Sequence, residues 1–354
     1  MNMQSTTATA CICAGLLAFQ SLPASAGWAL TANNNQLTND VWKLNVGVSG
    51  TNITITGVAS VVGTNVVDFT DGVTDASGGV TYAVTAVGRD AFNTKNAIAG
   101  LRAPQLTSIG LNGFYACRNL AFVEFGGGLA TIEGYAFTGC SALESVTGVG
   151  GGLKTIGEVA FSGCTRLKTF EPGTLPNLAT LGRGAFSNCS ALESGFDMPS
   201  LKSVPSDCFN SCRKLTYFHA PKVTAVNGNA FYSCGNLGSI TIGGGGAIAG
   251  WSMNGIKAGA VLRFMGEAPT SIGGAALVPS GNNYMVVLVE HSRYLAGWDG
   301  KYVPYENLTS DQQRTRPTAY KARRAKGLVK HGGSAANAWL IDDDNAAQTI
   351  LTVQ

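Results

Sequence analysis

Charged side chains are scarce in this sequence. Asp, Glu, Lys and Arg make up 13% of its 354 residues, against roughly 25% in an average soluble domain. Low charge combined with 45% hydrophobic residues excludes a disordered polyelectrolyte. The net charge of +3 is too small to predict a nucleic-acid partner. Histidine occurs three times in the whole chain, which counts against catalysis by a histidine and a partner group.

Long apolar runs are also missing after the first segment of the chain. No later stretch has 18 consecutive apolar residues, so we expect no transmembrane helix. Residues 1–26 do contain an apolar run, from Ala8 to Leu22, and Ala24-Ser25-Ala26 follows directly before Gly27. This order is typical of a secretory signal peptide and its cleavage site. We therefore predict a protein that is secreted or displayed on the cell surface.

The basic residues are unevenly placed. The segment from Arg314 to Lys330 contains seven of the 24 Lys and Arg residues and no acidic one, so the remainder has 17 basic against 21 acidic residues. We interpret 311–354 as a basic linker and short tail, with a final strand at 349–353. Binding of an anionic surface by the basic run is the alternative.

Residues 27–83 alternate between β-forming and polar side chains. Residues 41–48 and 53–56 flank a polar turn, Ser49-Gly50-Thr51-Asn52, which predicts a β-hairpin. Short strands are expected at 58–62 and 66–69. We interpret 27–83 as a β-rich cap, because the first coil of a repeat array cannot leave its apolar face in water. An independent binding module is the alternative.

A repeat of 22–25 residues fills the next part of the chain, 84–242. Each copy has an aliphatic pair, then a phenylalanine, a cysteine and a leucine, as in Leu129, Ile132, Phe137, Cys140 and Leu143, except that the first copy has Lys95 and Ile98 in place of the last two. The phenylalanines stand at 92, 114, 137, 161, 186, 209 and 231. Aliphatic residues in register at this period indicate coils that bury their apolar side only by stacking on one another.

The consensus L-x-x-I-x-x-x-A-F-x-x-C-x-x-L-x-x-I resembles the BspA-like (Treponema pallidum-type) class of leucine-rich repeats, found on secreted and surface proteins of bacteria and some protists. The resemblance implies an α/β-type repeat solenoid, mostly β and right-handed, of about seven coils with a parallel sheet on its concave side. The repeat pattern is interrupted at Gly243 to Gly246. The following residues, 243–310, resemble the degenerate closing coils of such arrays, which makes them a C-terminal cap.

The concave strands predict where a partner would bind. Neighbours of a buried strand residue face the opposite way, so buried Val123 and Phe218 leave the residues beside them exposed. The outward column along the coils is Arg102, Glu124, Thr147, Glu171, Asp197, His219 and Thr241. The predicted binding residues, which include two aromatic residues of the adjacent column, are Phe122, Glu124, Glu171, Asp197, Tyr217 and His219.

Seven cysteines follow residue 26, and six of them recur at one position of the repeat. Side chains in register on stacked coils point in parallel, whereas a disulfide needs converging Cβ atoms. We therefore predict a buried ladder of free thiols. Cys208 lies outside the ladder, and a bridge to Cys212 stays open. A zinc site is not predicted, because no C-x-x-C occurs after residue 26.

The sequence contains no residue pattern that indicates a catalytic site. Gly148 to Thr155 lacks the glycine that a phosphate loop needs before its lysine, and Glu290-His291-Ser292 are adjacent in sequence, which does not make a triad. A carboxylate pair could in principle serve a glycosidase, but acidic residues on an exposed sheet normally serve solubility or recognition. We predict no enzyme, cofactor or metal, and a protein or glycan partner bound for adhesion or recognition. The alternative is a structural, self-associating component of a cell envelope or extracellular matrix.

Overall fold

A computed structural model describes residues 27–75, 79–171, 173–265, 269–277, 280, 285–289, 322–323 and 338–342. The signal peptide predicted at 1–26 and the strand predicted at 349–353 lie outside these residues. The described part consists of β-strands and turns, without an α-helix. It accordingly contains no helix with the length and apolarity that crossing a membrane requires.

The predicted N-terminal hairpin is confirmed. Its two strands pair in antiparallel fashion around Gly50, and burial alternates along the first of them because one side packs on the core. The second strand extends to Val61, so the strand expected at 58–62 is part of the hairpin. The strands of this region are β1 (Trp28–Leu30), β2 (Gln36–Thr38), β3 (Trp42–Ser49), β4 (Asn52–Val61), β5 (Asn65–Asp68), β6 (Val73–Asp75) and β7 (Thr81–Val87).

Each repeat contributes two strands, and each strand pairs in parallel with its counterpart in the next coil, except at one interruption. The long-strand row comprises β8 (Ile98–Ala103), β10 (Phe122–Phe125), β12 (Ser145–Thr147), β14 (Thr169–Phe170), β16 (Phe196–Asp197), β18 (Tyr217–Ala220), β20 (Ser239–Ile242), β22 (Val261–Phe264) and β24 (Met285–Val289). The short-strand row comprises β9 (Ser108–Ile109), β11 (Thr131–Ile132), β13 (Thr155–Ile156), β15 (Thr180–Leu181), β17 (Ser203–Val204), β19 (Ala225–Val226), β21 (Ala247–Ile248) and β23 (Ser271–Ile272). The mostly-β solenoid is confirmed, with about eight turns. The long strands were predicted from the sequence. The short strands were not predicted as separate elements.

The N-terminal strands extend both rows. Strand β4 pairs in parallel with β7, which pairs with β9, and β5 pairs with β8. The indole of Trp42 meets the first phenylalanine of the repeats, Phe92, edge to face at 6.3 Å between ring centroids. These contacts cover the apolar end of the first coil.

Both rows are interrupted at the same place. Strands β14 and β16 belong to different sheets, and so do β15 and β17. The 25 residues from Phe161 to Phe186 are the longest interval of the array, and the extra chain forms its own contact. Thr174 makes an isolated parallel bridge to Asp197, whose N–H donates to the carbonyl of Gly173 at 2.9 Å. In the long-strand row, the inserted residues between β14 and Thr174 shift the register, so β14 and β16 do not pair directly. The insertion precedes β15 and does not explain the separation of β15 from β17.

A continuous stack of phenylalanine rings spans the interruption. The seven repeat phenylalanines lie 4.9–5.5 Å apart between successive centroids, with interplanar angles of 2–10°. Phe170 adds its edge to the faces of Phe161 and Phe186, at 5.4 Å from each. Every ring of the stack is fully buried. The core therefore runs unbroken where the sheets do not.

The predicted ladder of free thiols is also confirmed. All seven described cysteines are buried and free, including Cys208. Six of them donate their S–H to the carbonyl of the phenylalanine one coil earlier, at 2.9–3.1 Å between sulfur and oxygen. The thiols therefore satisfy buried backbone acceptors as well as filling space.

The coils continue beyond Ile242, where the sequence rhythm breaks. Gly244 and Gly245 have left-handed backbones, with φ of 89° and 81°, and a Cβ on Gly246 would overlap the carbonyl oxygen of Thr224. The glycine run is thus a turn that passes close to the previous coil, and β21, β22 and β23 stack in parallel after it. Ser252-Met253 takes the place of the Ala-Phe pair.

The C-terminal strands are β25 (Ala322–Arg323) and β26 (Ala338–Asp342). Strand β26 pairs in parallel with β24 and in antiparallel fashion with β25. Both lie in residues 311–354, which the sequence predicts to be a basic linker and short tail. The apolar run Trp339-Leu340-Ile341 accounts for the difference, because such residues favour a strand that extends an apolar sheet edge.

Candidate functional site

The outward side of the long-strand row, which we call the long-strand face, carries all six predicted binding residues. Burial alternates along β10 and β18, so Val123 and Phe218 point inward as expected. Glu124, Glu171 and Tyr217 are exposed, whereas Phe122, Asp197 and His219 are half-buried. Strand pairing aligns Glu124 with Arg102 and Thr147, and His219 with Asp197 and Thr241.

In the N-terminal half of the long-strand face, Arg102 contacts several neighbouring side chains. Its guanidinium pairs with Asp68 at 3.2 Å and with Glu124 at 3.3 Å, and it lies 5.0 Å from the centroid of the Phe122 ring. The Phe122 ring itself lies flat over Gly100, where a Cβ would overlap it. Phe122 and Glu124 therefore already have partners within the chain.

The second half of the face is more open. The Tyr217 ring covers Gly195 in the same way, but it remains 42% exposed. The Oδ1 atom of Asp197 is buried and accepts no hydrogen bond from the described residues, and His219 Nε2 is 4.0 Å away, beyond hydrogen-bond distance. A buried acceptor without a donor is unfavourable. The Asp197 side chain as a whole is 35% exposed, so the carboxylate remains open to a partner at its accessible part and not at the buried Oδ1 atom.

The predicted single column is wrong at Glu171. Asp197 has Thr174 beside it, because the long coil inserts residues between β14 and the bridge at Thr174. The six residues therefore form two groups, Phe122 with Glu124 and Asp197 with Tyr217 and His219, with Glu171 at the interruption between them.

Sequence reasoning missed Asp68, which completes the Arg102 cluster from an N-terminal strand. The strand expected at 66–69 contains Asp68, but Val66 and Val67 are both buried, so simple alternation gives no signal, and only the strand register places Asp68 beside Arg102. Sequence reasoning also missed Gly100 and Gly195 as the surfaces on which the two aromatic rings rest.

Some ionisable groups outside the face form ion pairs on the surface. Lys214 Nζ lies 2.6 Å from Glu193 Oε1, and this contact lowers the pKa of Glu193. Among the described residues, no group of three or more His, Cys, Asp or Glu side chains is arranged to hold a metal ion. The arrangement of the face is suited to hydrogen bonding and aromatic contact.

Burial makes the cysteines poor nucleophiles. It raises the pKa of Cys164 from 9.0 to about 12, and the pKa values of Cys117 and Cys212 rise to about 12 for the same main reason. The thiolate is the nucleophilic and metal-binding form. At neutral pH these thiols therefore stay protonated and serve the core.

The raised thiol pKa predicts an alkaline loss of stability. Because the folded pKa of Cys164 lies above the unfolded one, its contribution is complete below pH 9 and is lost as the pH rises toward 12. Each such thiol lowers the free energy of unfolding by about 1.4 kcal/mol per pH unit in that window. The free energy of unfolding of Cys164→Ala, measured by urea denaturation between pH 8 and 11, should therefore fall with pH less steeply than that of the wild type. The difference in slope should be this amount.

The matched control for this experiment is Ser162→Ala, in the same coil, which should keep the wild-type slope. Parallel pH profiles for wild type and Cys164→Ala would contradict the assignment of a protonated, buried thiol.

Comparison with known proteins agrees with the geometry. The sequence model of the BspA type leucine-rich repeat region matches in six copies, over residues 85–195 and 147–248. No curated protein matches the chain in sequence. Several solved structures do match in fold.

A leucine-rich repeat protein from Bacteroides ovatus is 19% identical, with a TM-score of 0.54 over 75% of this chain and 69% of its own. The leucine-rich repeat protein of T. pallidum is 24% identical, with a TM-score of 0.42 over 56% of this chain and 83% of its own. A leucine-rich cell-surface protein from Faecalibacterium prausnitzii is 18% identical, with a TM-score of 0.42 over 73% and 77%. The B. ovatus structure shares the solenoid fold. Residues 85–248 therefore form a BspA type leucine-rich repeat region.

Proposed function

We propose that this chain is a secreted or surface-displayed recognition protein, without catalytic activity, that binds a protein or glycan partner through the long-strand face. The observation that carries the proposal is the open half of that face. There an exposed aromatic ring, Tyr217, lies in the strand next to Asp197, whose carboxylate side chain is 35% exposed. Aromatic anchors beside directed polar groups are typical of binding hot spots.

Rigidity supports this use of the fold. The long strands are held by parallel ladders and by a stacked core, so the outward side chains need little ordering when a partner binds. Association then loses less conformational entropy than it would with a flexible loop. Leucine-rich repeat proteins mediate protein interactions, which agrees with this arrangement.

Export is supported by the sequence and by the family. The apolar run and Ala24-Ser25-Ala26 of residues 1–26 suit a signal peptide, and one similar solenoid is a cell-surface protein. In this proposal 27–83 caps the first coil, 84–242 supplies the repeats, 243–310 closes the array, and 311–354 is a basic tail.

The proposal predicts that Tyr217→Ala weakens partner binding at least tenfold, because the aromatic anchor is lost. The bait is the chain from residue 27 to 354, immobilised to capture partners from host or neighbouring-cell surface extracts. The dissociation constant of the captured partner is then measured for each variant. Phe122→Ala should have a smaller effect, since Phe122 is held by Arg102 and Gly100.

Tyr135→Ala is the matched control. Tyr135 is 41% exposed against 42% for Tyr217, but it lies in a turn outside the long-strand row. Affinity that is unchanged in Tyr217→Ala, or equally reduced in Tyr135→Ala, would contradict the site. Light scattering distinguishes partner recognition from the alternative structural role. Concentration-dependent assembly of the wild type would favour a self-associating structural component.

A further inference from the structure

A third side of the solenoid is formed by the turns that carry the repeat phenylalanines. We call its outward surface the turn face. In every coil the residue two positions before the phenylalanine, or before its replacement, has a left-handed backbone with φ between 45° and 61°. These residues are Asp90, Asn112, Tyr135, Val159, Gly184, Asp207, Asn229, Trp251 and Ala275. Five of the nine are Gly, Asn or Asp, which tolerate this conformation best.

Trp251 is the bulkiest residue in this column, and about half of its surface stays exposed. Its relative exposure is 52%, more than that of any other exposed aromatic residue described. The left-handed backbone, with a φ of 61°, is common to the column and holds the residue on the outward surface of the turn. A large aromatic side chain held there is a candidate binding residue.

Trp251 has an aromatic partner in the preceding coil. The rings of Tyr232 and Trp251 lie 6.3 Å apart between centroids at an angle of 55°. Backbone hydrogen bonds fix this pairing, because the N–H groups of Phe231 and Ser233, on either side of Tyr232, donate to Ser252 and Asn254 at 2.6 and 2.8 Å. The two rings therefore form a preorganised aromatic cleft.

The surroundings of the cleft are small and uncharged. Asn210 and Asn254 occupy the position of Tyr232 in the adjacent coils, and Asn229 and Ala275 flank Trp251 in the left-handed column. The nearest carboxylate of that column, Asp207, is engaged by Arg183 at 3.1 Å and by Asn229 at 3.2 Å. Amides, which both donate and accept hydrogen bonds, thus dominate the rim.

We propose that Tyr232 and Trp251 form a carbohydrate-binding site for a neutral glycan, separate from the long-strand face. The C–H face of a pyranose ring is flat and apolar, so it stacks on an indole or phenol ring, while its hydroxyl groups exchange hydrogen bonds with amides. A protein hot spot would need a wider apolar surround that excludes water. Here the neighbours are asparagines and one alanine.

The test is a microarray of neutral oligosaccharides probed with the chain from residue 27 to 354. Trp251→Asn should reduce the glycan signal at least tenfold without lowering the melting temperature, because asparagine occupies the same position at 112 and 229. Tyr232→Ala should cause a similar loss of signal. The matched control is Tyr135→Asn, which makes an equivalent exchange at an exposed position of the same column and should leave binding unchanged.

Several results would overturn the site. One is the absence of wild-type binding to every arrayed glycan, and another is binding that survives in Trp251→Asn. A glycan signal lost in Tyr217→Ala but retained in Trp251→Asn would place glycan binding on the long-strand face instead. Loss of a captured protein partner in Trp251→Asn, with no glycan signal in the wild type, would identify a protein contact and not a sugar site.

Discussion

Replacing Phe161 by alanine is expected to lower the free energy of unfolding by about 3–5 kcal/mol. Phe161 is fully buried in the middle of the ring stack, 5.1 Å from Phe137 and 5.2 Å from Phe186 between centroids. Phe170 meets it edge-on. Removing the ring leaves a cavity, because the neighbouring coils are held in place by their own backbone ladders and cannot collapse into it.

Urea denaturation followed by circular dichroism measures this loss. Amide hydrogen exchange should also show weakened protection in the coils on both sides, since stability in a solenoid is shared between nearest neighbours. Phe122→Ala is the matched control, because it makes the same chemical change at a half-buried position and should cost only about 1 kcal/mol. Equal losses for the two variants would contradict the stack as the principal core.

Replacing Gly148 by alanine is expected to lower the free energy of unfolding by about 2–5 kcal/mol. Its φ of 68° is left-handed, which costs an alanine about 1–2 kcal/mol. A Cβ there would also overlap the carbonyl oxygen of Phe125 in the previous coil, and such overpacking costs about 1–3 kcal/mol more. The segment cannot easily retreat, because the N–H of Gly127 donates to the Gly148 carbonyl at 2.7 Å.

Gly163→Ala separates the cost of the left-handed backbone from the cost of the steric overlap. Gly163 has a similar φ of 75°, but the nearest atom to an added Cβ would be 3.8 Å away. The equivalent residue of an earlier coil, Ala116, already has a φ of 52°. Gly163→Ala should therefore cost about 1–2 kcal/mol, the conformational term alone. If both variants lose the same stability in thermal and urea denaturation, the close approach at Gly148 has no energetic weight.

Much of the fold could be predicted because it depends on residues that repeat. The recurring Phe137-x-x-Cys140 pattern and its aliphatic partners mark the positions that stacking must bury, and the structure buries them. The short-strand row was less visible, since each of its strands has only two residues and two residues show no alternation. The coil after Ile242 was hidden because Ser252-Met253 replaces the Ala-Phe pair on which the repeat is recognised.

The predicted binding residues face outward as expected, although Glu171 is separated from the others, and their availability could not be predicted. Alternation along a strand identifies Phe122 and Glu124 as outward-facing, yet it does not show that Arg102, twenty or more residues away, contacts both. The same limit applies to Trp251, which has no special sequence context and becomes conspicuous only through its φ and its contact with Tyr232.

The sequence by itself determined the period, the inward-facing residues and the family, because burial of an apolar stripe depends on spacing along the chain. Only the tertiary structure decided which outward side chains are free and which are paired, because their partners lie one coil away and depend on how adjacent coils align. The extra residues around Thr174 illustrate the difference. They change no repeat position, yet they separate Glu171 from Asp197 and divide the long-strand face into two halves.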